Sequence, residues 1–155
     1  MKDYLTCKFL HYVCIIGLVI LASLIIMLPK IVPIVINGVN GDIAYATPLM
    51  ILLYINGMLG WVLLWNTKEL AKNVIILKAF SQNSLSRVRI ISLCSLSICI
   101  CFTLSLIIVD YSALNLAIPA YLMICSGFMV SLVASVIYKL LKVAINLQEE
   151  NDLTI

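Results

Sequence analysis

Charge is what this sequence has least of. Charged residues make up 11% of its 155 positions, less than half the share usual in soluble globular proteins. A soluble single domain is therefore a poor description. The net charge of +3 comes from scattered basic residues, with no basic stripe and no recognition motif, which argues against direct nucleic-acid binding. Histidine is limited to His11, which has no carboxylate or nucleophile near it in sequence. No H-E-x-x-H, nucleophile elbow, P-loop or dinucleotide fingerprint occurs. Asp42 and Asp110 read as solvated aspartates, so a non-enzymatic protein is expected, without catalytic residues or cofactors. The six cysteines are Cys7, Cys14, Cys94, Cys99, Cys101 and Cys125. None forms a C-x-x-C pair or a zinc-like set, and all but Cys7 fall in apolar runs, where cysteine acts as a small hydrophobe.

What the chain has in abundance is apolar sequence, 64% of its residues. Four uncharged stretches are long enough to span a membrane: about 11–28, 48–65, 90–109 and 114–138. Each matches the roughly 20 residues that cross about 30 Å of hydrocarbon at 1.5 Å per residue. Backbone polar groups in lipid must be satisfied within the segment, so these spans are predicted to be helices. The expected fold is all-α: a single polytopic membrane domain with four transmembrane helices in a compact bundle. The first span reads as an uncleaved anchor. Its apolar stretch is too long for a signal peptide, and the small-residue run Ala44-Tyr45-Ala46 lies well past its end.

Basic residues set the expected orientation. Lys2, Lys8, Lys68, Lys72, Lys78, Arg87, Arg89, Lys139 and Lys142 share one side, and only Lys30 falls on the other. The positive-inside rule then places both termini and the loop 66–89 in the cytoplasm. Tyr4, Tyr12, Trp61, Trp65 and Tyr138 would mark the inner interface, with Tyr45, Tyr111 and Tyr121 near the outer one. On the outer side, "PKIVPIVINGVNGDIAYATP" reads as a short piece lying on the outer interface or folded onto the helix ends: Pro29 and Pro33 interrupt the first helix, and "NGVNGD" is turn chemistry. In the inner loop the second helix continues past Asn66, its Leu70, Val74 and Leu77 forming an apolar stripe. Ser81 reads as the N-cap of the next helix, with Phe80 and Leu85 spaced for a hydrophobic staple. Contact with anionic lipid is the plain reading of this basic amphipathic loop.

Inside the spans, small residues recur every four positions, which lets helices approach closely. The fourth span carries Gly127, Ser131 and Ser135. The third carries Ser95, Cys99 and Thr103, and also Ser97, Cys101 and Ser105, so it should touch neighbours on both sides. Asn56 is the one strongly polar side chain near a span centre, and an interhelical hydrogen bond to Ser or Thr is expected of it. No Asp, Glu, Lys or Arg lies in any span, which counts against proton-coupled transport.

The chain closes on "LQEENDLTI", with three of its seven acidic residues at Glu149, Glu150 and Asp152. The fourth helix is expected to end near Leu147. The tail 139–155 would then project into the cytoplasm, because carboxylates oppose the dipole of a helix C-terminus and are repelled by anionic lipid. "FSQNSLSRVRII" together with "LQEENDLTI" resembles the bacterial membrane family catalogued as domain of unknown function 2975. Its members are four-helix proteins of about this size, often encoded beside a small helix-turn-helix regulator. The resemblance implies a bacterial cell-membrane protein acting as regulatory partner of such a regulator. Phe80, Asn83, Arg87, Arg89, Glu149, Glu150, Asn151, Asp152, Leu153, Thr154 and Ile155 would then be the partner-binding residues. A small transport or immunity protein, with Asn56 and the third span lining a path, and a structural membrane subunit are the alternatives. A homo-oligomer is compatible with each.

Overall fold

In a computed structural model, which describes residues 2–38, 43–75, 81–108 and 117–152, the chain is all-helical. Helix α1 spans Lys2–Gly38, α2 Ala46–Ile75, α3 Gln82–Ile108 and α4 Ala117–Asp152, with a short 3-10 turn, Ile43–Tyr45, leading into α2. All four are long and apolar enough to cross a membrane. The protein is a multi-pass membrane protein, folded as a compact four-helix bundle.

Neighbours in sequence are neighbours in space: α1 lies along α2, α2 along α3, and α3 along α4. The pairing is antiparallel throughout. Gly17 faces Leu64 while Gly57 faces Ile25; His11 reaches the carbonyl of Lys68. Asn73 bonds Ser84 between α2 and α3, and Ser92 bonds Ser135 between α3 and α4. The start of α1, the α2–α3 connection and the end of α4 therefore gather at one end, hereafter the terminal end. At the opposite end Val32, Ile36, Leu49 and Ala120 form a small apolar core that joins α1, α2 and α4.

The buried stripe follows a heptad rather than the i, i+4 rows. On α3 it runs Ser84, Val88, Ile91, Ser95, Phe102 and Ser105, all buried, with Ile98 completing the alternating spacing of three and four. On α4, Ala120, Ser131, Ala134 and Ile145 obey the same spacing. That period is the one by which helices of left-handed bundles keep one seam facing a neighbour. Serine and alanine occupy much of the seam, whereas Ile26, Met58, Ile107 and Ile118 are each more than 70% exposed. Lipid is as apolar as leucine, so bundles in a bilayer are held by close packing and polar contacts rather than by hiding hydrocarbon.

Two expectations are corrected here. Pro29 and Pro33 do not interrupt the first helix: α1 continues through both to Gly38, so "PKIVPIVING" is helix. Each proline removes one donor, from the bonds to Ile25 and Pro29. The segment still gains the burial of Val32 and Ile36 in the apolar core, and helices in membranes accommodate proline where neighbouring helices support them. At the other terminus, α4 does not stop near Leu147 but continues to Asp152. Gln148, Glu149 and Glu150 are good helix formers with no Gly or Pro to stop them, which outweighs a dipole cost of a few tenths of a kcal/mol per carboxylate.

Candidate functional site

Polar residues collect at the terminal end. Ser81 caps α3: its Oγ accepts from the Ser84 N–H at 3.2 Å, and its carbonyl accepts from the Leu85 N–H at 3.0 Å. Its hydroxyl also meets Ser84 Oγ at 3.1 Å, which accepts from Asn73 Nδ2 of α2. One turn on, Arg87 donates from Nη1 to Asn66 Oδ1 at 3.1 Å, while Asn66 Nδ2 donates to the Val62 carbonyl of its own helix. The buried Asn66 thus holds the half-buried Arg87 against α2. On the α1 side, His11 Nδ1 lies 3.3 Å from the Lys68 carbonyl; a carbonyl only accepts, so Nδ1 carries the proton in this contact. Lys68 places its ammonium 3.7 Å above the Trp65 ring and 3.4 Å from Glu69.

The sequence-predicted partner residues divide among three situations. Asn83 and Arg89 are exposed on the first turns of α3, free to meet another molecule. Arg87 is engaged within the bundle by Asn66. Glu150 is exposed in the last turn of α4, and Glu149, Asn151 and Asp152 are helical beside it. Phe80, Leu153, Thr154 and Ile155 lie outside the described residues, as do Asp42 and Asp110, and with Phe80 the proposed staple. The register of α3 on α4, Ser92 against Ser131 and Ser135, puts Ser81 level with about residue 144. The end of α4 therefore stands about 12 Å beyond the start of α3, at 1.5 Å for each of about eight residues. Asn66, Asn73 and Ser84 were not singled out in sequence, although Asn66 and Asn73 share a helix face at i, i+7.

Asn56 does not make the expected interhelical bond. Its Nδ2 donates to the Leu52 carbonyl one turn back, at 3.0 Å, and its Oδ1 is buried without a hydrogen-bond partner. Asn side chains readily bond the preceding turn of their own helix, and among the described residues no donor on a neighbouring helix reaches this oxygen. On α3 the Ser95 hydroxyl is buried without a partner, while other hydroxyls bond carbonyls. Thr103 donates to the Cys99 carbonyl and Ser105 to Phe102. Ser135, Ser92 and Ser131 form a relay: Ser135 donates to Ser92 Oγ at 2.7 Å, Ser92 to the Ser131 carbonyl, and Ser131 Oγ back to the Ser92 carbonyl. Gly127 continues that seam, where a Cβ would come within 3.3 Å of the Ser95 carbonyl. Of the two expected small-residue rows on α3, Ser95 and Cys99 face α4 here, and Ser105 of the other row is buried.

No curated protein and no solved structure matches the chain. Residues 36–155, which take in the end of α1 and all of α2, α3 and α4, match the family described as "Protein of unknown function (DUF2975)". The likeness first seen in the inner loop and the acidic tail thus extends over most of the chain, and the protein belongs to that family.

Proposed function

We propose that this protein is a non-enzymatic regulatory partner of a small helix-turn-helix transcription regulator, held at the cytoplasmic face of a bacterial cell membrane. The observation that carries the reading is the terminal end itself. There Asn83 and Arg89 are exposed at the start of α3, and α4 runs on through Asp152, past the level of that start, as an acidic helix end. A helix end bearing Glu149, Glu150 and Asp152 is electrostatically matched to the basic surface by which such regulators meet DNA phosphates. Binding there would hold the regulator away from its operator. The Asn66–Arg87 contact ties the base of the site to the packing of α2 on α3, a route by which the state of the bundle can reach the bound protein.

The test is recovery of the helix-turn-helix regulator, of the kind encoded beside family members, from membranes containing tagged protein. It should co-purify with the intact chain, and not with a chain ending at Leu147 or one carrying Glu149→Lys, Glu150→Lys and Asp152→Lys. Equal recovery with all three removes the acidic helix end from the mechanism.

A further inference from the structure

One flank of the bundle at the terminal end, shared by α1 and α2, combines cations, indoles and hydrocarbon in order of depth. Trp61, Trp65, Lys68 and Lys72 succeed one another at helical spacing, so they share a face of α2. That face turns away from α3. At 100° per residue Lys68 and Lys72 stand about 160° and 120° around the helix from Asn66, the residue that meets α3. On α1 the row Lys8, Tyr12, Ile15 and Val19 has the same spacing. His11, beside that row, reaches the Lys68 carbonyl, and this register puts Lys8 level with about Ala71, the neighbour of Lys72. The opposite side of the α1–α2 seam, with Leu24 and Leu63, faces the bundle interior.

The outermost layer of this flank holds Lys8 and Lys72, both exposed. Next come Lys68 and Trp65, fixed to each other: the ammonium lies 3.7 Å above the indole ring and 3.4 Å from Glu69. With its side chain only 15% exposed and its charge met by Glu69, Lys68 positions the ring rather than facing outward. Trp61 follows one turn further in, and both indoles are exposed. Below them the flank is hydrocarbon, with Ile15 and Val19 of α1 and Met58 of α2 exposed. Met58 is ten residues from Lys68, about 15 Å at 1.5 Å per residue, which is half of the roughly 30 Å hydrocarbon thickness. Ammonium, indole and alkyl layers thus match the phosphate, ester and acyl layers of a single leaflet. Indoles settle at the interfacial level, and lysines beside it attract anionic headgroups.

We infer that this flank binds one anionic phospholipid of the adjoining leaflet, its phosphate between Lys8 and Lys72, its glycerol esters against Trp61 and Trp65, and its chains along Ile15, Val19 and Met58. The indole and alkyl layers select a lipid over a soluble anion, which would leave both uncovered. The His11 bond fastens α1 to α2 at this level, so the two cations come from elements held in register. Trp61 and Trp65 are the chain's two tryptophans, so the combination occurs at no other basic group, and the site differs from the general attraction of a basic loop to an anionic surface. It is independent of the regulatory proposal, which rests on the end of α4.

The full-length protein reconstituted in phosphatidylcholine vesicles tests it. Because both tryptophans lie on this flank, quenching of their fluorescence by lipids with brominated chains reads occupancy directly. At equal low mole fraction, brominated phosphatidylglycerol should occupy the site about fivefold better than brominated phosphatidylcholine, the factor expected of a lysine beside anionic lipid. Inorganic phosphate in the aqueous phase should not relieve the quenching. In a protein carrying both Lys8→Gln and Lys72→Gln the two lipids should quench equally, and each single variant should fall between. Arg89→Gln, which removes a charge of the same loop away from this flank, should keep the native preference. Equal quenching by the two lipids in the native protein overturns the assignment, as does relief by phosphate. So does a preference that survives both lysine substitutions, or one lost equally in Arg89→Gln. Should the double variant fail to fold, full native preference in both single variants is the overturning result.

Discussion

Replacing Gly127 probes what holds α4 to α3. A Cβ built there would lie 3.3 Å from the Ser95 carbonyl oxygen, 3.5 Å from Cys99 Cβ and 3.6 Å from Cys99 N. Two of these three atoms belong to the backbone of α3 and cannot move aside without the helix. Alanine is tight at this position but gains helix propensity of about 1 kcal/mol over glycine, so Gly127→Ala should change stability little. Leucine needs room that only separation of the helices provides. Separation breaks the relay one turn away, in which Ser135, Ser92 and Ser131 make three interhelical contacts of 2.7, 3.3 and 3.2 Å. At about 0.6 kcal/mol for each such bond in a membrane, the expected loss for Gly127→Leu is about 2 kcal/mol, before any loss of packing. Gly60→Ala is the control. Its Cβ would meet only the end of Leu21 at 3.6 Å, an ordinary contact, so this variant should match or exceed the native protein. Reversible unfolding in mixed micelles, followed by near-ultraviolet circular dichroism, measures both. A Gly127→Leu protein within about 0.5 kcal/mol of native, outside the 2 kcal/mol that three lost bonds imply, would refute the argument. So would a Gly60→Ala protein equally damaged.

Three further outcomes are expected from the same structure. A double-mutant cycle on Asn66 and Arg87 should give a coupling of about 1 kcal/mol, because the amide oxygen of one is the acceptor for the other, a charge-assisted bond; additive losses would show that the contact carries no energy. Ser81→Ala should cost about 1 kcal/mol through loss of the α3 cap, while Ser81→Asp should retain stability in the same unfolding assay. Fusions of a cytoplasm-active fluorescent reporter after Ile155 should glow, and fusions of a periplasm-active phosphatase after Gly38 should be active. The reverse pattern would turn the terminal end outward and remove the proposed contact with a cytoplasmic regulator.

The four helices were legible because uncharged length in lipid leaves the backbone few other choices. The cap at Ser81 was legible too, since it depends on residues adjacent in sequence. The seams were harder to read. In a soluble protein, apolar positions mark the inside; here they mark every face, and the inside is identified by what is smaller or more polar than its surroundings. Ser84, Ser95 and Ser105 are almost fully buried, while Ile90 and Ile100 between them are exposed. Reading small residues at strict four-residue spacing found Ser95 and Cys99 against Gly127 but missed Val88, Ile91 and Phe102, the large members of the same heptad seam. Pro29 and Pro33 misled for a related reason. Their local preference is to end a helix, and the burial of Val32 and Ile36 that overrides it is a tertiary fact.

Asn56 and Asn66 show most clearly where sequence reasoning stops. Both lie on α2, both are buried, and both spend the amide nitrogen on the carbonyl one turn back, Leu52 and Val62 respectively. That bond is available to any asparagine in a helix and says nothing about neighbours. The oxygen is different: interior N–H groups of the helix are already committed to its own ladder, so Oδ1 must find a donor elsewhere. Asn66 lies at the level where α3 begins, within reach of the long Arg87 side chain. Asn56 lies ten residues deeper, where the spans carry no cation and where Ser92 and Ser105 of α3 donate to carbonyls instead. One amide is thus satisfied by the edge of the bundle, and the other keeps its oxygen buried without a partner. The same residue type with the same local bond becomes a structural tie at one depth and an unsatisfied buried acceptor at the other.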